Sequence, residues 1–252
     1  MVDTTNLSEG EKCWRAYKLK CETSFKTRNG TIACKALPRP KHTGYKKPEY
    51  ISEHEGRTAS LFGLLYSYEY HSTAVPINRV DAFSVMLMLL CHDIGEIYTG
   101  DALDDGTAPH DRNRKIEQAV LEELYSYFPN SEQMLGIQND FEDYSGEKIV
   151  QYAKMVDKAE AVAFQLFLKT KGIAGDVAKK SPPSQRDLRF AKILGTSAAI
   201  DVWTLHYRIA TKNIQPDNFT YRLNEFLKAG FIDAYGHVPK CLTIDVANLE
   251  LD

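Results

Sequence analysis

Cysteine is scarce and unpatterned in this chain, long apolar runs are missing, and no stretch is strongly basic. The five cysteines, at positions 13, 21, 34, 91 and 241, are odd in number and contain no Cys-x-x-Cys. That fits a reducing cytoplasm better than a disulfide framework. Met1 to Lys12 mixes Asp, Asn, Ser, Glu and Lys and has no apolar stretch of the signal-peptide kind. No window reaches the apolar length that spans a bilayer. A cytoplasmic protein with no membrane partner is therefore expected. The net charge of −3 and the lack of a long basic run argue against a nucleic-acid partner, which would require a basic face. A small anionic substrate is not excluded, because it needs only a local positive site. Internal repeats and convincing sets of alternating strands are also missing.

What is present is ordinary globular composition, 43% hydrophobic and 26% charged, over a length that can bury a large core. The periodicity is helical. Ser8-x-x-Glu11 is a capping-box pattern that predicts a first helix from about Glu9 to Lys20. Residues 23–50 hold Pro38, Pro40, Pro48, Gly30 and Gly44, and read as extended or turn-rich. The basic cluster there, Arg39, Lys41, Lys46 and Lys47, reads equally as a solvated loop or as a cover over an anionic ligand. Ser52-x-x-Glu55 predicts a second capped helix running to Tyr70, with Ala59, Phe62, Leu65 and Tyr66 at helical spacing. Asn78 and Asp81 open a third. Ala102 to Pro109 is a loop whose aspartates lack the spacing of a calcium-binding hand. Further helices are expected over Arg112–Phe128 (Ile116, Ala119, Val120 and Leu124 on one face, Pro129 as the stop), Ser131–Phe141 and Gly146–Thr170. The last carries an apolar face of Ile149, Val150, Ala153, Val156, Ala163 and Phe167. Lys171 to Gln185 reads as an exposed loop. Helices then fit Ser184–Leu194, Ser197–Lys212 and Asp217–Ala229, and Val238 to Asp252 has no clear period. The expected fold class is all-α.

One stretch breaks the pattern. The almost wholly apolar run Ala82 to Leu90 leads straight into Cys91-His92-Asp93-Ile94-Gly95-Glu96-Ile97-Tyr98-Thr99-Gly100-Asp101. Unpaired buried charge is costly, so His, Asp and Glu at the end of a buried helix call for a compensating partner. A hydrogen-bonded His–Asp pair is one answer and a cation is the other. Adjacent helical residues point about 100° apart, so both can reach an ion lying off the helix end. Glu96, three residues after Asp93, would share its face. Gly95 and Gly100 would leave the backbone free to turn beside a ligand. Elsewhere, Asp157 lies beside the apolar face of its helix and wants Lys154, Lys158, a capping donor or a metal. His54 lies in the first turn of its helix, where a histidine by itself is usually a surface or capping residue. Together His54, His92, Asp93 and Asp157 make a four-donor set that leaves positions for water and substrate. An imidazole–carboxylate set suits Mn²⁺, Co²⁺, Zn²⁺ or Fe²⁺ alike, so it does not name the metal.

These blocks resemble the HD-domain metal-dependent phosphohydrolases. They are most similar to the branch that acts as 5′-nucleotidases on deoxynucleoside monophosphates. Ile51-Ser52-Glu53-His54-Glu55-Gly56-Arg57 resembles that branch's first-histidine block. The run from His92 to Asp101 matches its central block, and Val156-Asp157-Lys158-Ala159-Glu160 resembles its last. The resemblance implies an HD-domain helical bundle with a buried metal site. The resemblance runs from about Leu37 to Phe167, and the chain is expected to divide into a lead-in (residues 1–36), a metal-binding core (37–170) and a C-terminal helical extension packing on the core (171–252), to which nothing is carried over. The resemblance implies one divalent transition metal ion on His54, His92, Asp93 and Asp157. It also places Glu96 and Asp101 in the substrate site, with Arg39 near the phosphate. A nucleotide is the implied small-molecule partner, and a homodimer the implied assembly. The chain departs from the branch at Pro40, where a tryptophan beside the sugar is usual, and at Glu55-Gly56, where Ser and a bulky residue are usual. Sugar preference is therefore not carried over. His110 is the sole histidine between Asp93 and Asp157, so a two-histidine second metal site is unavailable there, and His110 is expected to begin a helix. The alternatives are an HD phosphohydrolase acting on a triphosphate, cyclic nucleotide or alarmone, and a non-catalytic metal-stabilised nucleotide-binding module.

Overall fold

The computed structural model describes residues 51–70, 78–99, 110–143, 148–170, 218–239 and 242–243. Among these residues there is helix and turn and no strand, so the all-α expectation holds. The helices are α1 (Ile51–Tyr70), α2 (Arg79–Cys91), α3 (Glu96–Thr99), α4 (His110–Tyr125), α5 (Ser131–Asp143), α6 (Lys148–Thr170) and α7 (Asn218–Tyr235). The helices expected over 9–20, 184–194 and 197–212 lie outside the described residues.

Helix α6 is the central element and packs against α1, α2, α5 and α7. Every position from Val150 to Asp157 is buried, which is how a helix covered on several sides reads. Two apolar clusters flank the functional region. The larger gathers Phe62 and Leu65 of α1, Val85 and Leu89 of α2, Val156 of α6, and Leu223 and Phe231 of α7. The smaller joins Cys91, Ile94 and Ile97 to Val120, Leu121, Leu124 and Tyr125 of α4. Leu90 packs against both. The His92–Asp93 step thus falls at the seam between two separately filled cores, where a polar pocket can open without breaking either.

Local details refine the sequence reading. Asn78 caps α2 as expected, its side-chain oxygen accepting from the Asp81 amide at 2.9 Å. The Ser52-x-x-Glu55 pattern is not the start of α1, which already runs at Ile51, and Glu55 is fully buried. Helix α4 begins at His110 and ends at Tyr125, not Phe128. Tight turns, from the Tyr127 amide to the Leu124 carbonyl and from Phe128 to Tyr125, close it before Pro129. Its buried face is Val120, Leu121, Leu124 and Tyr125, whereas Ala119 is exposed. Helix α7 continues six residues past Ala229 and stops where Gly236 takes a φ of 75°, a left-handed conformation glycine adopts without penalty. Phe167, expected on the buried face of α6, is 52% exposed. The core-facing residue of that last stretch is Leu166, packed so close to Gly230 of α7 that a Cβ there would stand 3.0 Å from its Cδ1.

Candidate functional site

Helix α2 ends at Cys91, and His92 and Asp93 follow in a tight turn. The Ile94 amide reaches the Cys91 carbonyl at 3.2 Å and the Glu96 amide reaches the Asp93 carbonyl at 3.0 Å. Glu96 then starts α3. Asp93 and Glu96 are therefore related by a turn rather than by one continuous helix, yet both line the same cleft. Gly95 is needed here for space. A Cβ on it would stand 2.7 Å from Cβ and 2.9 Å from Cα of Glu117, so α4 lies directly on the turn. Its φ is not in the left-handed region, so room beside α4, rather than freedom to turn beside a ligand, accounts for it.

Three helices bring the expected donors together. His54 of α1 is 1% exposed, unlike the surface histidine its first-turn position would indicate alone. Its Nε2 lies 3.3 Å from Nε2 of His92, 3.1 Å from Oδ1 of Asp157 and 3.7 Å from Oδ2 of Asp93. His92 Nε2 lies 3.3 Å from Asp93 Oδ1 and 3.4 Å from Asp157 Oδ1. His54, His92 and Asp93 each offer a ligand atom within 4.8 Å of the others, and Asp157 closes the group from α6. Arg39 and Asp101 lie outside the described residues.

The outward ring nitrogens decide what the inner ones can do. His92 Nδ1 is 3.0 Å from the Leu89 carbonyl, which can only accept, so Nδ1 carries the proton. His54 Nδ1 is 2.6 Å from Glu160 Oε2, again an acceptor. In their neutral forms both rings therefore turn Nε2 lone pairs toward each other, with carboxylate oxygens around them. A cluster of acceptors without a donor calls for positive charge, supplied either by protons on the imidazoles or by a cation, and two imidazoles with two carboxylates form a donor set for a divalent transition metal. The residues present fit such an ion.

A second layer holds these groups in place. Lys158 binds Oδ2 of Asp157 at 3.0 Å, leaving Oδ1 for the imidazoles. Burial alone would raise the Asp157 pKa; the Lys158 ammonium and, when no ion is bound and their Nε2 atoms carry protons, the hydrogen bonds of His54 and His92 outweigh it and hold the carboxyl well below its usual range. Glu160 is likewise lowered, burial being overcome by His54 and Arg57. The Arg57 Nε donates to Glu160 Oε1, and its guanidinium lies 3.8 Å from the centre of the Phe164 ring. Phe141 of α5 packs against His92, ring centres 5.6 Å apart, and carries the Lys154 ammonium 3.5 Å from its own centre. So of the two lysines expected as Asp157 partners, Lys158 serves and Lys154 sits on an aromatic ring.

The cleft beside the cluster has a volume of about 90 Å³, and its lining includes His92, Asp93, Glu96, Arg114, Glu117 and Asn139. Glu117 is tied to α3 by the Thr99 hydroxyl at 2.6 Å. Glu160, Arg57, Arg114 and Asn139 did not emerge from the sequence. For the first two a signal exists: Arg57 follows His54, and Glu160 follows Asp157, by three residues, the spacing that shares a helix face.

An all-helical bundle whose central helix and two neighbours converge imidazoles and carboxylates on one point defines a metal-site protein. The chain belongs to the HD domain family, whose model matches residues 31–185, more than half of its length. That family consists in general of metal-dependent phosphohydrolases, and the His54, His92 and Asp93 cluster could hold the divalent ion such enzymes use. Neither the curated proteins nor the solved structures contain a match to the chain. No described helix is long and apolar enough to cross a membrane.

Proposed function

We propose that the protein releases inorganic phosphate from nucleoside or deoxynucleoside 5′-monophosphates. The observation that carries this reading is the convergence of His54, His92, Asp93 and Asp157 beside a cleft that Glu96 also lines. The nucleotide part rests on the resemblance of the His92 to Asp101 block to the nucleotidase branch of the family. A homodimer rests on that resemblance alone.

In this reading the four donors hold one divalent ion, Mn²⁺, Co²⁺, Zn²⁺ or Fe²⁺. Bound there, it supplies Lewis acidity toward the phosphoryl group and lowers the pKa of a water. The cleft has room for several waters or one phosphate group, so the nucleoside extends beyond it. Glu96, on the cleft wall, orients and deprotonates the attacking water or protonates the departing 5′ oxygen. Water adds to phosphorus as the P–O5′ bond breaks, giving nucleoside and phosphate. Arg39 neutralises phosphate charge with its planar fork, and Asp101 accepts a hydrogen bond from a sugar hydroxyl.

The test is phosphate release by protein stripped of metal and reloaded separately with Mn²⁺, Co²⁺, Zn²⁺ and Fe²⁺. The panel is ribo- and deoxyribonucleoside 5′-monophosphates, with 3′-monophosphates and triphosphates as controls. Release confined to 5′-monophosphates is expected, and the deoxy-to-ribo ratio reads the effect of Pro40. Pyrophosphate from triphosphates would move the assignment to another HD phosphohydrolase. Binding of nucleotide without cleavage under any metal would make the protein a binding module.

A further inference from the structure

Glu160 spends both carboxylate oxygens inside the protein. Oε2 takes His54 Nδ1 at 2.6 Å and Oε1 takes Arg57 Nε. Its side chain is 5% exposed, so water does not compete for it. Arg57 is in turn placed by the Phe164 ring under its guanidinium. We infer that Arg57 and Glu160 form a tautomer lock: they keep the proton of neutral His54 on Nδ1, so that the Nε2 lone pair faces His92, Asp93 and Asp157. Both are positioning residues. The inference rests on the proposed role of His54 as a metal ligand only for its effect on metal binding, because the lock itself is a property of the metal-free protein.

The lock has a consequence that a merely structural ion pair lacks. Glu160→Gln keeps the shape of the side chain but leaves one acceptor where there were two. Arg57 has only donors, and a charged donor makes the stronger hydrogen bond. The amide oxygen therefore turns to Arg57 and the NH₂ turns to His54. An NH₂ facing Nδ1 requires a bare nitrogen there, which moves the ring proton to Nε2 and points it into the cluster. Arg57→Met removes the competitor while still covering Phe164. In the double variant the amide is free to turn its oxygen back to Nδ1–H. The second substitution should therefore repair the first, although each removes a native interaction.

Two readouts test this. The first is the ¹⁵N shift of His54 Nδ1 in metal-free protein at mildly alkaline pH. Nδ1 should be protonated in the wild type, bare in Glu160→Gln and protonated again in the double variant. The second is Zn²⁺ affinity by competition with a chelating dye. Glu160→Gln should weaken it about 10- to 100-fold, the usual effect of losing a partner behind a ligating histidine, and the double variant should return to within about tenfold of wild type. A bare Nδ1 in the wild type, a protonated one in Glu160→Gln, or a double variant no better than Glu160→Gln overturns the lock. If Glu160→Gln does not fold, the wild-type nitrogen shift decides alone. If the nitrogen pattern holds but wild-type protein binds no metal, the lock stands and the metal reading of the site fails.

Discussion

Replacing Gly95 with alanine should destabilise the protein, against the usual expectation for a buried glycine without a left-handed φ. The added methyl would stand 2.7 Å from Cβ, 2.9 Å from Cα and 3.0 Å from Cγ of Glu117. Carbon atoms rest at about 3.5–4.0 Å, so α4 and the turn must separate by roughly 0.8 Å. No rotamer change relieves this, because the two nearest atoms are Cα and Cβ. The bond from Thr99 to Glu117 and the packing of Val120, Leu121 and Leu124 resist the movement. Overpacking of this kind costs about 1–3 kcal/mol. For a chain of this size that lowers Tm by about 2–12 °C. Gly136, exposed on α5 with nothing within 4 Å of an added Cβ, is the control. Alanine there should stabilise by about 0.5–1 kcal/mol. Thermal unfolding followed by circular dichroism reads both. A Gly95→Ala protein melting at or above the wild type would refute the steric account.

The other expectations concern the site. Asp157→Ala should abolish phosphate release and leave purified protein nearly free of metal by elemental analysis; metal retained at the wild-type level would remove Asp157 from the ligand set. Glu96→Ala should keep its metal while turnover falls about 10²- to 10⁴-fold, and unchanged turnover would exclude Glu96 from proton transfer. Asp157 and Glu160 both have depressed pKa values in the folded state. Their contribution to stability is full above the ordinary carboxylate range near pH 4 and is lost as pH falls through the lower folded values. Urea titrations of metal-free protein across that interval should show the loss. Lys158→Met should shrink the Asp157 share of it, and an unchanged profile would discount the Lys158 contact.

Periodicity made the described helices readable, because burying one face of a helix such as α4 leaves a local signature. The site was readable to the extent that its residues violate that signature. Asp157 interrupts an apolar face, and His92-Asp93 follows an apolar run. His54 does neither, since its burial comes from α6, 103 residues away, and it was marked only as a complement to the other three donors and by the family resemblance. Glu160 and Arg57 pair across the same interval, so neither looks unusual locally. Gly95 could be read as conformational freedom, whereas its reason is a neighbour on α4 that no local pattern reveals. Phe167 fits the helical period but lies one residue beyond Leu166, where α6 meets Gly230 and its buried face ends.

The order in which the donors occur along the chain also sets when the site can exist. His92 and Asp93 are adjacent, but Asp157 comes 64 residues later. At about 5–20 residues per second, synthesis of that interval takes roughly 3–13 s. During that time a nascent chain offers His54, His92 and Asp93 without α6 to hold them or Glu160 to orient His54. Completion of the donor cluster is thus coupled to arrival of the helix that fills the core: among the described residues, the ribosome delivers the last donor and its Glu160 support on the same helix.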